Sequence, residues 1–255
     1  MATHQTYLVT GATRGIGLAF VANLLTRSAV TVVAGVRDPT KASKILSDLP
    51  KATDSKLLIV KLDSSVDSDP DEAVAQLQKE YGVDALDVVI ANARTAHSLS
   101  PIMQATTKVI NEHFIVTTLG PLRLAQATAP LPKNSKSGRP VFLAITSFVG
   151  TISSMEHFHY LPNLLTPYGA SKAALNWLVL RLHFEEKWLA AYVVHPGIIA
   201  TDMVSDAMDG TSVDVKKLDT ITAAENVTHM LRTVDATSRE IGGTFQNYDG
   251  AILPW

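Results

Sequence analysis

Short apolar runs rich in β-branched residues alternate along the chain with stretches whose apolar positions recur at helical spacing. Residues 7–10 form a brief β run that ends in glycine, and residues 15–27 read as a helix. Residues 30–36, VTVVAGV, are an unbroken apolar run, as expected of a strand buried on both faces. A helix over 40–49 stops at Pro50, a third strand covers 56–62, and a third helix over 71–81 stops at Gly82. A fourth strand spans 86–91. A long helical stretch then reaches about residue 129, and a polar loop, 132–139, leads to a fifth strand at 141–146. A helix over 168–187, a strand over 190–194, a helix over 223–234 and a last β run at 243–247 complete the pattern. The alternation predicts an α/β chain: a single doubly wound parallel sheet with helices on both faces, forming one domain over residues 1–255. There is no internal repeat or interdomain linker. In such sheets ligands sit beyond the carboxyl ends of the strands, at the switch point, so the loops that follow strands are where chemistry belongs.

Composition narrows the class. The chain has 255 residues, 46% hydrophobic and 18% charged, enough to bury a core without metals or disulfides. Its net charge of -2 lacks the basic field that nucleic-acid or membrane-surface binding requires, so neither partner is expected. The absence of cysteine excludes a disulfide scaffold, thiol catalysis and a Cys-based metal site. The first residues, MATHQTYLVTG, lack the regions of a signal peptide, and no apolar run is long enough to span a bilayer. A cytoplasmic location is the expectation.

Candidate chemistry begins after the first strand, at Gly11, Thr13, Arg14, Gly15, Ile16 and Gly17. Glycines there let the backbone turn tightly and approach a pyrophosphate, which the helix N-terminus stabilises. A lone glycine triplet is weak; this one lies between a strand and a helix at the start of the fold, which is the setting of a dinucleotide site of Rossmann type. The second strand ends at Arg37-Asp38, where such folds meet the adenosine ribose. Arg37, with Arg14, suits a 2′-phosphate and hence NADP(H). Asp38 is the counter-signal, able to bind a ribose hydroxyl or to neutralise Arg37, and two solvated surface arginines are the bland alternative.

Tyr168 and Lys172 are four residues apart, on one helix face. A phenol near pKa 10 is a poor proton exchanger at neutral pH, and a neighbouring ammonium is expected to lower it, making Tyr168 a general acid toward a ketone. Ser147, just past the fifth strand, is placed to hydrogen-bond the same oxygen. Alone, a Tyr and Lys at this spacing are ordinary surface or core residues; their weight comes from joining the glycine turn.

Together these motifs resemble the short-chain dehydrogenase/reductase family over nearly the whole chain. The carrying residues are the turn at 10–17, Asp63 after the third strand, Asn92 and Ala93 after the fourth, Ser147, Tyr168 with Lys172, His195-Pro196-Gly197, and Thr201-Asp202-Met203. Within the family the chain is most similar to fungal norsolorinic acid ketoreductase-like members of polyketide pathways, through residues 183–189 (HFEEKWL) and the ending at 249–255 (DGAILPW). The resemblance implies NADPH-dependent reduction of a carbonyl on an aromatic or related secondary metabolite. It implies that Asp63 contacts adenine, that Asn92 and Ala93 lie along the adenosine side, and that Pro196, Gly197, Ile198, Thr201 and Met203 hold the nicotinamide end. It also implies a homodimer or homotetramer built on the long helices. Asp63 read by itself is a loop carboxylate that caps the next helix. His195 reads as a structural residue before Pro196.

The chain departs from the family pattern in three places. Asn-Ala-Gly becomes Asn92-Ala93-Arg94, adding bulk and charge that either points to solvent or contacts a phosphate or acidic substrate. The family's catalytic Asn on the long fifth helix is replaced by Thr117; Asn111, six residues earlier, does not align. A threonine hydroxyl holds a proton-relay water less firmly than an asparagine, so a slower relay is expected. Residues 148–167 are longer than usual, and their apolar and aromatic content suits either one wall of a hydrophobic substrate pocket or a self-packed surface loop. His157 and His159 lack a third ligand, so no metal is expected. Residues 200–215 read either as a substrate lid or as an ordinary surface helix. Two other functions fit the same fold: a non-redox cyclisation or rearrangement of a bound metabolite, and dinucleotide sensing without turnover. Retention of Ser147, Tyr168 and Lys172 argues against the sensor.

Overall fold

The computed structural model describes residues 4–97, 100–135, 137–158, 165–199 and 220–255; the side chains of residues 157 and 158 are not included. Eight strands form one sheet in the spatial order β10-β9-β6-β5-β4-β1-β2-β3. They are β1 (Gln5–Thr10), β2 (Val30–Val36), β3 (Lys56–Lys61), β4 (Val88–Ala91), β5 (Val141–Ile145), β6 (Ala190–His195), β9 (Phe245–Asn247) and β10 (Ile252–Leu253). All neighbours pair in parallel except β10, which runs antiparallel to β9. β7 (Ile198–Ile199) and β8 (Thr220–Ile221) form a separate parallel pair. This is the expected doubly wound, Rossmann-like fold.

Alternation along each central strand explains the two faces. Val9, Val32, Ile90, Leu143 and Val194 join one core, packed against Phe20 and Leu24 of α1 (Gly15–Leu25) and Met230 and Leu231 of α8 (Ala223–Ala236). Their sequence neighbours Leu8, Val33, Val89, Phe142 and Val193 face the opposite core, with Leu77 of α3 (Asp69–Tyr81), Leu124 of α5 (Gly120–Thr128) and Leu175 of α7 (Thr166–Glu185). Each fully buried side chain such as Phe20 or Leu77 contributes roughly 1.5–3 kcal/mol. Among the described residues no helix is long and apolar enough to cross a membrane.

Several boundaries differ from the sequence expectation. Helix α1 ends at Leu25, not at 27, and α2 covers Pro39–Leu46. The first two residues of the loop expected at 132–139 belong to a short helix, α6 (Pro130–Lys133). The expected long helix is broken into α4 (Thr107–Phe114), a π turn at Ile115–Leu119, and α5. Pro121 supplies the reason: it has no N–H for the carbonyl one turn earlier, at Thr117, and its ring crowds that carbonyl. Gly120 N bonds back to Ile115 O, five residues away.

Candidate active site

Strand order reverses between β1 and β4, since β2 and β3 lie on one side and β5 and β6 on the other. The crevice beyond the carboxyl ends of β1 and β4 is therefore the switch point. The glycine turn after β1, Asn92 and Ala93 after β4, Ser147 after β5 and Pro196 to Ile198 after β6 all project from this edge. Thr201, Met203 and the whole segment at 200–215, read either as a lid or as a surface helix, lie outside the described residues, as do residues 159–164 of the segment read either as a pocket wall or as a self-packed loop.

Gly11 and Gly15 have φ of +67° and +53°, left-handed values that a side chain would strain. Gly17 serves packing: a Cβ there would stand 2.2 Å from Gly11 O. Arg14 precedes α1 in extended conformation without capping it, so the N–H groups of the first turn have no side-chain acceptor there, and no acidic residue occupies that turn. Thr10 ties the turn to β4. Its hydroxyl accepts hydrogen bonds from Asn92 N and Ala93 N, both at 3.0 Å, while Asn92 Nδ2 donates to Thr10 O at 2.9 Å.

Arg14 and Arg37 are both exposed on this edge, and Thr13 in the glycine turn is half-buried. Asp38 does not neutralise Arg37. Its carboxylate caps α2 by accepting from Lys41 N at 3.1 Å, and that backbone hydrogen bond is the main reason its pKa is held down. Asp63 folds its own loop, accepting from Ser65 N at 2.9 Å and Ser65 Oγ at 2.7 Å, and does not cap α3.

Tyr168 and Lys172 are buried on one face of α7, with Lys172 Nζ 5.7 Å from the phenol ring centroid. Lys172 Nζ donates to Ile145 O at 2.6 Å. Burial pushes the lysine down to about 7, and the charge of Arg94 pushes in the same direction. The expected lowering of the phenol by Lys172 is not the net effect. Burial raises Tyr168, against smaller lowering by Arg94 and by a hydrogen bond from Ser147. Desolvation disfavours the charged form of each group and is the larger effect for both. Ser147 Oγ accepts from Val149 N at 3.3 Å, which leaves its hydrogen for the phenol side.

Thr117 lies within the π turn, fully buried, and its Oγ1 has no partner among the described residues. Its neighbour Thr118 binds Ser171 O at 2.8 Å, fixing the π turn against α7 next to Lys172. His195 Nδ1 accepts from Phe148 N at 3.2 Å, and burial lowers its pKa to about 4. It is a neutral structural residue that fixes the start of the Ser147 turn.

Two positioning residues escaped the sequence reading. Thr10 is one, although its place before Gly11 was in view. Asn176, one turn past Lys172, is the other: its Oδ1 accepts from Thr146 Oγ1 at 2.5 Å and its Nδ2 donates to Gly150 O at 3.3 Å. Its place one turn beyond Lys172, on the same helix face, was the available signal.

The sequence profile of the short chain dehydrogenase family matches residues 5–212. The chain belongs to this family. The short-chain dehydrogenase is 40% identical over 252 residues to norsolorinic acid ketoreductase nor1 of Dothistroma septosporum, covering 98% of this chain and 92% of that protein. It is 38% identical to norsolorinic acid ketoreductase stcE of Emericella nidulans, covering 98% and 93%. The crystal structure of NADPH-bound carbonyl reductase from chicken fatty liver superposes with a TM-score of 0.84 at 29% identity over 100% of both chains. The family is one of oxidoreductases that use a nicotinamide dinucleotide. The left-handed glycines, the uncapped α1 terminus and the lysine at the strand edge fit such a group.

Proposed function

We propose that this short-chain dehydrogenase is an NADPH-dependent ketoreductase that reduces a carbonyl of an aromatic, polyketide-like or other secondary metabolite. The carrying observation is the buried Tyr168–Lys172 pair beside Ser147 at the switch-point edge, with the phenol held in its protonated form. The glycine turn and α1 terminus hold the pyrophosphate, Asp63, Asn92 and Ala93 the adenosine side, and Pro196, Gly197 and Ile198, with Thr201 and Met203, the nicotinamide side. Arg14 and Arg37 bind a 2′-phosphate; the use of Asp38 as a helix cap supports NADP(H) over NAD(H), because that carboxylate is committed elsewhere. When bound, the reduced cofactor supplies the hydride.

The protein's own part is proton transfer and charge stabilisation. Tyr168 Oη gives its proton to the carbonyl oxygen as that oxygen gains negative charge, and Ser147 Oγ donates a second hydrogen bond to it. Lys172 Nζ returns the proton to the phenol, and Thr117 holds the water that resupplies the lysine. Burial keeps the proton on the phenol until the carbonyl oxygen gains charge. An apolar groove of about 280 Å³ between α5 and α7, lined by Leu122, Leu175, Leu178, Leu182 and Trp188, supports a homo-oligomer built on these helices.

The test is cofactor consumption against a panel of aromatic ketones. NADPH should be oxidised one-for-one with alcohol formed and preferred to NADH, with Arg37→Ala narrowing the preference about tenfold. Tyr168→Phe should lower kcat/KM by roughly 10²–10⁴ while leaving the melting temperature unchanged. Ketone conversion without cofactor oxidation would overturn the proposal and point to the non-redox reading.

A further inference from the structure

A cleft of about 350 Å³ opens where β5 and β6 begin. The two strands are parallel, so this is the amino end of both, the edge of the sheet opposite the glycine turn and Ser147. Four of its lining side chains are cations, Lys133, Arg139, Lys187 and Arg239, and none of the described residues that line it is acidic. Arg27, Lys41, Lys61, Arg123 and Arg181 each pair with a carboxylate; none of the four cations in the cleft forms an ion pair among the described residues. The carboxylates bonded to lining residues take neutral donors instead. Asp87 accepts from Ser135 Oγ at 2.5 Å and from Thr6 N at 2.8 Å, and Glu186 accepts from Trp188 Nε1. Two of the cations are held in place. Lys133 Nζ lies 5.1 Å from the Trp188 ring centroid, and Arg239 donates from Nε to Lys187 O at 3.1 Å while its other nitrogens meet His183. Burial, with the charges of Arg239 and Lys187 added, pushes His183 down to about 4, so it is neutral at pH 7 and offsets none of the charge.

We propose that this cleft is a second binding site, for a small, soluble, multiply charged phosphate compound. The proposal goes beyond ketone reduction and does not rest on it. A single exposed lysine is solvated and needs no ligand; the cleft differs because its cations converge from four parts of the chain. Lys133 ends α6, Arg139 precedes β5, Lys187 follows α7 and Arg239 follows α8. In a chain of net charge -2, four like charges around one concavity repel one another and set up a local positive potential. An anion of matching charge removes that repulsion. The exposed guanidinium of Arg139 offers two parallel N–H groups to a pair of phosphate oxygens, while the lysines act as point charges. A phosphate group brings close to two negative charges and three acceptor oxygens, so a diphosphate answers four cations where a lone carboxylate does not. The volume lies near the lower end of the range for small-molecule sites and suits a diphosphate or a phosphorylated metabolite.

The experiment titrates pyrophosphate, inorganic phosphate, citrate and hexaglutamate calorimetrically into the full chain at low ionic strength, with NADPH in excess to fill the proposed dinucleotide site. The variants are Arg139→Gln and Lys187→Gln in the cleft, Arg37→Gln in the dinucleotide site, and Lys51→Gln at an exposed position elsewhere. Melting curves establish that each is folded. Pyrophosphate should bind wild type with a Kd of about 1 mM or tighter and raise its melting temperature. Inorganic phosphate, with fewer charges, should bind several-fold more weakly. Arg139→Gln and Lys187→Gln should each weaken pyrophosphate roughly 3–10-fold, and Arg37→Gln and Lys51→Gln less than about twofold. The protein should stay in the supernatant when phosphatidate vesicles are sedimented. No binding of pyrophosphate, an equal loss in Lys51→Gln, or a loss confined to Arg37→Gln would overturn the proposal. So would tighter binding of citrate or hexaglutamate than of pyrophosphate, or co-sedimentation with the vesicles. These readouts hold whether or not any ketone is reduced.

Discussion

Tyr168 and Lys172 sit four residues apart on α7, and burial drives their pKa values in opposite directions, the phenol up and the ammonium down to about 7. Spacing revealed the pair, but the pKa directions were not legible, because desolvation depends on what packs around them and not on their neighbours in sequence. The same holds for Asp38. The Asp-Pro at 38–39 is a helix-start signal, and the capping geometry, not the adenosine site, is what the structure shows for its carboxylate. Thr117 carries a prediction at this scale. Its buried hydroxyl is unpartnered among the described residues; on the proposed relay it holds the water less firmly than an asparagine, so Thr117→Asn should raise turnover about two- to tenfold and shift its pH profile. An unchanged rate and profile would remove Thr117 from the relay. His195 carries another. Its folded pKa of about 4 lies below the ordinary value of 6.5, so the unfolded chain binds the extra proton first as pH falls. Its contribution to stability is full above about pH 6.5 and is lost as pH falls toward 4, by up to roughly 3 kcal/mol. His195→Asn keeps an acceptor for Phe148 N without a titrating ring, so its melting temperature should fall less steeply over that pH range.

At the scale of elements, the central strands β2, β4, β5 and β6 were legible because apolar runs buried on both faces leave few polar positions to blur them. The ends of helices were less so, since α1 stops at Leu25 where the apolar pattern could continue. The π turn was hidden by a helical pattern that runs through it, although the Gly120-Pro121 pair marked the place where the ladder opens. The antiparallel β10 was missed because Ile252 and Leu253 are too few to show a period. The junction of β5 with α7 gives the test here. Asn176 ties Thr146 to Gly150, and a Cβ on Gly150 would come within 2.7 Å of Lys172 Cβ, so the Ser147 turn lies hard against the helix. Asn176→Ala leaves a buried hydroxyl and a buried carbonyl short of a partner and should cost roughly 1–3 kcal/mol by denaturant unfolding. It should also reduce kcat more than it raises KM, because Ser147 is misplaced toward the reacting oxygen. A purely structural role would lower stability and leave the kcat of the folded fraction unchanged.

For the whole molecule, the doubly wound sheet brings the carboxyl ends of seven parallel strands to one edge, and the alternation of the sequence was enough to foresee that edge. The surface of the proposed homo-oligomer was not separable from core by sequence, because an apolar helix face looks the same in both. Trp177 and Phe184, on the same helix α7 that forms one side of the groove against α5, remain 61% and 53% exposed. Light scattering should therefore report a dimer or tetramer, and Trp177→Glu with Phe184→Glu should shift it toward monomer without loss of fold; a wild-type monomer would contradict the assembly. The account as a whole turns on hydride delivery to a carbonyl coupled to a proton from Tyr168. The most direct measurement supplies NADPH deuterated at the transferable position with a reducible aromatic ketone and follows the product by mass spectrometry. The account predicts one deuterium on the carbinol carbon with wild type and almost none formed by Tyr168→Phe. Product that carries no deuterium, or equal labelling by the variant at an equal rate, would contradict it.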